Sequence, residues 1–177
     1  MSFIKSLRII TLTTALALAG CGFQPIHGQN SAASGEALAG IDIELIADRT
    51  GQMLRNELIQ QMHPRGGRTP ARYGLSVTLG ESLRNFAIRK DEIATRANLI
   101  MVARFAVTSR GDGKKMFNGS VRSVNSYNIL TSDFATLSAR EDARRRAVQQ
   151  LAAGITQRLS VWLVQAGGTP PAHTPRR

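Results

Sequence analysis

From Ile41 onward apolar and polar residues alternate: Ile41, Ile43 and Leu45 fall on one side, Asp42 and Glu44 on the other, which is the period of a half-buried strand. The period then lengthens. Leu54 and Leu58 stand four apart with Met53 and Met62 flanking them, so a helix is expected over about 50–62, ended by His63-Pro64-Arg65-Gly66-Gly67. Alternation returns at Tyr73, Leu75, Val77 and Leu79 against Gly74, Ser76, Thr78 and Gly80, a second strand running on through Phe86 and Ile88. Arg89-Lys90-Asp91-Glu92 fits a hairpin tip, and a third strand spans roughly 95–109 with Leu99, Met101, Ala103, Phe105 and Val107 on one face. The other face of that strand carries Ile100, Val102 and Ala106, interrupted by Arg104, which is less polar than a sheet face bare to water should be.

Gly111-Asp112-Gly113 supplies residues that tolerate positive φ at a tight hairpin. A fourth strand is expected over 114–130, with Phe117 and Val121 in phase and a shift to Val124 that suggests a bulge near Ser123. Ser138-Ala139-Arg140-Glu141 has the spacing of a capping box. Val148, Leu151, Ile155, Leu159 and Trp162 follow at helical steps beside Ala143, Ala147 and Ala152, one long amphipathic helix ending near Gly167-Gly168. The order is βαβββα. It predicts an α+β fold in which two helices pack on one face of a four-stranded, mainly antiparallel sheet and the second face stays available.

Ahead of this domain, Lys5 and Arg8 precede the short apolar run 9–17, and small residues lead up to Cys21. That is the layout of a secretory signal, and about ten apolar residues are too few to span the ~30 Å hydrocarbon core. Leu18-Ala19-Gly20-Cys21 resembles the bacterial lipobox. The resemblance implies diacylation of the cysteine, with palmitate among the acyl chains, cleavage before it, and acylation of the new amine. Two or more chains anchor stably where one is marginal. Gly22 after the cysteine resembles the outer-membrane default of enterobacterial lipoprotein sorting. The chain therefore divides into a signal peptide over 1–20, a lipidated tether over 21–40 rich in small and polar residues, the domain over 41–165, and a tail over 166–177 expected to be disordered.

Charge enters next: 23 Lys and Arg against 12 Asp and Glu give a formal net charge of +11. In the cytosol that balance would suggest nucleic acid. Export redirects it to the polyanions of the envelope, phosphorylated glycolipids and acidic phospholipids, and no nucleic-acid partner is expected. With Cys21, the one cysteine, consumed by lipid, the core must hold without a disulfide. Catalytic chemistry finds no constellation. His27, His63 and His173 lie in the tether, at a helix end and in the tail, so no metal or other cofactor is expected. There is no G-x-S-x-G elbow, and Gly111-Asp112-Gly113-Lys114-Lys115 lacks the spacing of a phosphate loop.

Several segments in order carry a family resemblance: the lipobox with Gly22-Phe23-Gln24-Pro25, Arg49-Thr50 with Leu54-Arg55-Asn56-Glu57-Leu58, and Ala94-Thr95-Arg96 with Phe105. Ser126-Tyr127-Asn128, Phe134-Ala135-Thr136 and Asp142-Ala143 continue it. Together they resemble the LptE family of lipopolysaccharide-assembly lipoproteins over roughly residues 18–163. The resemblance implies a non-enzymatic outer-membrane lipoprotein that plugs the large β-barrel LptD, helps it assemble and helps lipopolysaccharide reach the outer leaflet. An apolar second sheet face would suit such a lumen, which makes Ile100, Val102 and Ala106 candidate barrel contacts.

Two hairpins carry the candidate lipopolysaccharide-binding cations, Arg89 and Lys90 on one and Arg110, Lys114 and Lys115 on the other. If their tips meet at one end of the sheet they form a cationic pole for phosphates; otherwise they are solvated turns. Arg144-Arg145-Arg146 near the start of the last helix gains nothing from the helix dipole, so it marks either an anionic neighbour or a wet helix face. The alternative function is an auxiliary lipoprotein of an envelope transporter that binds protein and no lipid.

Overall fold

The computed structural model describes residues 37–64, 66, 70–86 and 96–166. The signal segment, most of the tether including Cys21, the hairpin tip with Arg89 and Lys90, and the tail lie outside the described residues.

The alternating segments form strands. β1 (Ile41–Ile43), β2 (Tyr73–Phe86), β3 (Arg96–Ser109) and β4 (Lys115–Asn128) make one sheet in the order β1-β2-β3-β4. β2, β3 and β4 pair antiparallel, and β1 joins the edge parallel to β2. A parallel pair needs a crossover, supplied by α1 (Asp48–Met62). The chain then ends in α2 (Asp133–Gln165). The architecture is α+β with both helices over one sheet face, as the pattern predicted.

Burial follows the two periods. Leu54, Leu58 and Met62 on α1, Leu75 on β2, Leu99, Met101 and Val107 on β3, and Leu151, Ile155 and Leu159 on α2 are all fully buried. Each fully buried aliphatic side chain stabilises the fold by roughly 1.5–3 kcal/mol relative to exposure. Packing reaches back before β1. Leu38 is buried, and the carbonyl of Gly40 accepts a hydrogen bond from the Arg72 amide at 2.9 Å.

Three local expectations change. β1 stops at Ile43, so Leu45 is 87% exposed and Ile46 enters the core instead, its Cγ2 packed where a Cβ on Gly51 would fall. The ladder irregularity lies at Met116, opposite Val107 and Thr108, and pairing is unbroken from Phe117 to Asn128. Val124 accordingly points to the open face, and the helix-facing positions beside it are taken by buried Ser123 and Asn125. Finally, α2 begins five residues before Ser138. Ser132 caps it, its Oγ accepting from the Ala135 amide at 3.4 Å, and Thr136 Oγ1 brackets the entry by accepting from the Leu130 amide and donating to its carbonyl. The extra turns carry Phe134 and Leu137, which lie 18 residues before buried Ala152 and Ile155 and so on the same side of the helix, but they run past the end of the core and are exposed.

Candidate functional site

Consecutive antiparallel hairpins turn at opposite ends of their strands, and this bears on the expected cationic pole. β2 and β3 meet at the Phe86–Arg96 end, whereas β3 and β4 turn beyond Ser109. With 14-residue strands the two ends of β3 are separated by roughly 45 Å at ~3.3 Å per residue. Arg89 and Lys90 lie outside the described residues, and the strand ends that lead to them stand at the opposite end of the sheet from Arg110, Lys114 and Lys115. Within the second turn, Arg110 ion-pairs with Asp42 across the sheet edge, and Lys114 Nζ lies 3.3 Å from Asp112. The Ser109 hydroxyl, the Lys114 amide and the Lys114 ammonium together hold the Asp112 carboxyl below its ordinary value. Gly113 closes the turn at φ +68°.

Lys115 behaves differently. It opens β4 on the face away from the helices, and no described carboxylate pairs with it. There it lines a basin of about 430 Å³ together with Arg104, ringed by Ser76, Thr78, Asn118 and Ser120. The register explains the convergence, since Ser76 pairs with Ala106 and Asn118, and Thr78 with Arg104 and Ser120. Two cations and four neutral hydrogen-bonding side chains, without a carboxylate, are a donor set for an oxyanion such as phosphate. Sequence reasoning noticed Arg104 only as an interruption in an apolar run. The other members come from neighbouring strands, and only the pairing brings them together.

The same open face corrects the expected apolar surface. Val102 and Ala106 are half-buried, but Ile100 is only 8% exposed. All three sit on the central strand, screened on both sides. Their cross-strand neighbours are Gly80 and Arg122, Ser76 and Asn118, Ser82 and Val124. The face is thus a narrow apolar stripe within a polar, cationic field that also includes exposed Arg84 and Arg96.

Around Glu81 and Asp142 on the helix side the charges satisfy one another. Arg144 donates to both oxygens of Glu81, at 3.0 and 2.7 Å, and to Glu141, while Arg140 reaches Glu81 at 3.4 Å. The Arg144 hydrogen bonds pull the Glu81 carboxyl below its ordinary range against the opposing effect of burial, and Glu81 in turn raises Arg144. Arg145 and Arg146 pair with Asp142. The arginine triplet therefore has its anionic neighbours within the chain. Ser123, Asn125 and Gln150 form a second satisfied network: Ser123 Oγ donates to Gln150 Oε1 at 2.6 Å, and Asn125 Nδ2 lies 2.7 Å from Ser123 Oγ.

Between β4 and the C-terminal half of α2 runs a notch of about 480 Å³, lined by Phe117, Val121, Val161 and Trp162 with Gln157 and Arg158 at its rim. Phe117 stacks on Trp162 with ring centroids 5.6 Å apart, and Tyr73 meets the same indole edge-on. The described residues hold no cluster of three or more His, Cys, Asp or Glu able to bind a metal, and no described helix is long and apolar enough to cross a membrane.

A helix-backed sheet whose free face gathers unpaired cations is the construction of a binding domain. The family model described as LptE, lipopolysaccharide-assembly, matches residues 38–159, well over half of the chain, and the chain belongs to that family. It is a non-enzymatic lipopolysaccharide-assembly protein. Among solved structures, a candidate lipoprotein from Caulobacter crescentus is similar at 26% identity and TM-score 0.61, over 75% of this chain and 97% of that one. The rare lipoprotein B of Shewanella oneidensis is similar in fold at 13% identity and TM-score 0.56, over 72% of this chain and 98% of that one. A minor lipoprotein of Acinetobacter baumannii gives 18% identity and TM-score 0.52, over 76% and 96%. No curated protein sequence matches the chain significantly.

Proposed function

We propose that lipid on Cys21 anchors this protein at the outer membrane, that its domain plugs and helps assemble the barrel LptD, and that the open sheet face receives lipopolysaccharide. The observation that carries the ligand reading is the basin: Arg104 and Lys115 lie among Ser76, Thr78, Asn118 and Ser120, with no carboxylate in its lining. A phosphate of the glycolipid head group would take charge-assisted hydrogen bonds there. The narrow stripe of Val102 and Ala106 beside it offers an apolar contact, and family membership supports the setting.

The test compares cations that differ in pairing. Replacing Arg104 and Lys115 together by serine should weaken binding to purified lipopolysaccharide by at least about tenfold. Replacing Arg110 and Lys114, which are paired with Asp42 and Asp112, should leave it nearly unchanged. Equal effects of the two pairs would reduce the interaction to net charge and remove the basin. For the barrel, photo-crosslinkers at the half-buried Val102 and Ala106 should capture LptD in native membranes. Capture of an inner-membrane transporter component instead would favour the auxiliary reading.

A further inference from the structure

β4 ends the sheet. Among the described residues no strand pairs with its outer side, so every other backbone N–H and C=O along its 14 residues faces outward. An edge of that length, at which Arg146 meets the Ser126 carbonyl at 3.4 Å near its C-terminal end, is a template for one more strand. β2 is also unpaired beyond Leu75, but on the helix side its edge is occupied by the Glu81–Arg144–Arg140 ion cluster. The β4 edge has a notch instead. Phe117 and Val121 stand on the helix face of β4, and across from them Val161, 42% exposed, and Trp162 close the opposite wall. Gly154 leaves the room: a Cβ there would fall 2.7 Å from Val121 Cγ1. Side chains at alternate positions of an added strand would enter this notch, because strand side chains alternate between faces.

Charge identifies the other face of the incoming segment. β4 contains no carboxylate, and Arg122 on its open face and Arg158 at the notch rim have no ion-pair partner among the described residues. We infer that β4 and the notch beside it form a docking site for an extended segment of a partner polypeptide, apolar on its helix-facing side and acidic on its open-face side. The segment adds antiparallel or parallel to β4, its apolar side chains against Phe117, Val121 and Val161 and its carboxylates beside Arg122. This concerns the sheet edge and stands apart from the basin, so either can fail without the other.

The probe is a labelled ten-residue peptide alternating glutamate and valine, with a lysine–valine counterpart, added to the full chain purified in detergent. The glutamate peptide should slow hydrogen exchange within residues 115–128 and change the emission of Trp162, the one tryptophan. Arg122→Glu should lower its affinity about fivefold and raise that of the lysine peptide by a similar factor. Val161→Asp, at an exposed position, should weaken both peptides. Absence of protection at millimolar peptide, or equal affinity of the two peptides for the unmodified chain, overturns the inference. So does protection of 115–128 that grows with protein concentration alone and accompanies a doubled mass, since the occupant is then a second copy.

Discussion

Gly119 sits opposite Phe105 in the β3–β4 ladder, and a Cβ at this position would lie 2.8 Å from Cζ and 3.1 Å from Cε1 of the ring. The Phe105 ring is 3% exposed and packs against Phe117 with centroids 5.9 Å apart, so it has little room to retreat. Gly119→Ala must displace the ring by roughly 0.7 Å to restore a carbon–carbon contact near ~3.5 Å. Overpacking of this kind costs about 1–3 kcal/mol, and the lower chain entropy of alanine returns about 0.5–1 kcal/mol. The net expectation is a loss of up to about 2.5 kcal/mol, centred near ~1 kcal/mol, with roughly 2–4 °C in Tm for each kcal/mol in a chain of this size. Guanidinium unfolding followed by Trp162 emission measures it, and a double-mutant cycle with Phe105→Leu isolates the cause. Once the ring is gone, alanine at 119 should stabilise by about 0.5–1 kcal/mol. A Gly119→Ala penalty of the same size in both backgrounds would refute the steric account.

Gln150→Ala removes the acceptor shared by Ser123 and Asn125, which are 4% and 7% exposed; it should cost about 1–3 kcal/mol in denaturant unfolding, whereas Gln149→Ala on the exposed side of the same helix should cost little. Glu81 is held below its ordinary value of 4.5, chiefly by Arg144, so its contribution to stability is fully present above that value and is lost as pH falls through the folded-state pKa. Glu81→Gln should therefore lower stability at neutral pH and flatten the acid limb of the stability profile, which unfolding midpoints between neutral and strongly acid pH would reveal.

The sequence showed those parts of the fold in which one element's own side chains are sorted by burial. Leu99 to Val107 on the central strand and Val148 to Trp162 on α2 meet the core along their whole length, so their periods are clean. Legibility failed where burial depends on a distant partner. Ser123 and Asn125 read as solvent-facing because Gln150, which satisfies them from α2, is invisible to local pattern. The start of α2 was missed although Phe134 and Leu137 continue its apolar stripe, because Ser138 offers a second capping signal after Ser132 and the first turns touch no core. The basin required register, which joins Ser76, Arg104 and Ser120 from three strands. The hairpin geometry was within reach of sequence reasoning, since antiparallel order alone places successive turns at opposite ends.

Once the pairing is known, the cations divide by face. Every arginine of the 144–146 triplet has a carboxylate within the chain, as do Arg110 and Lys114 in the turn. The helix side around Glu81 and Asp142 is therefore close to neutral despite its many charges, and such surface pairs add little beyond orienting each other. Arg84, Arg96, Arg104, Lys115 and Arg122 lie on the open side of β2, β3 and β4, where those strands place no carboxylate. At the β1 side of that face Asp42 pairs with Arg110, and Glu44 reaches over Gly74 of β2. The surplus positive charge of the described domain is thus concentrated on the layer that the helices leave uncovered. Screening at physiological salt confines such a field to about 8 Å, so it acts on a ligand already close to the sheet. An acyl anchor of the expected kind would supply that proximity, and the unpaired arginines would then select which anion occupies the face.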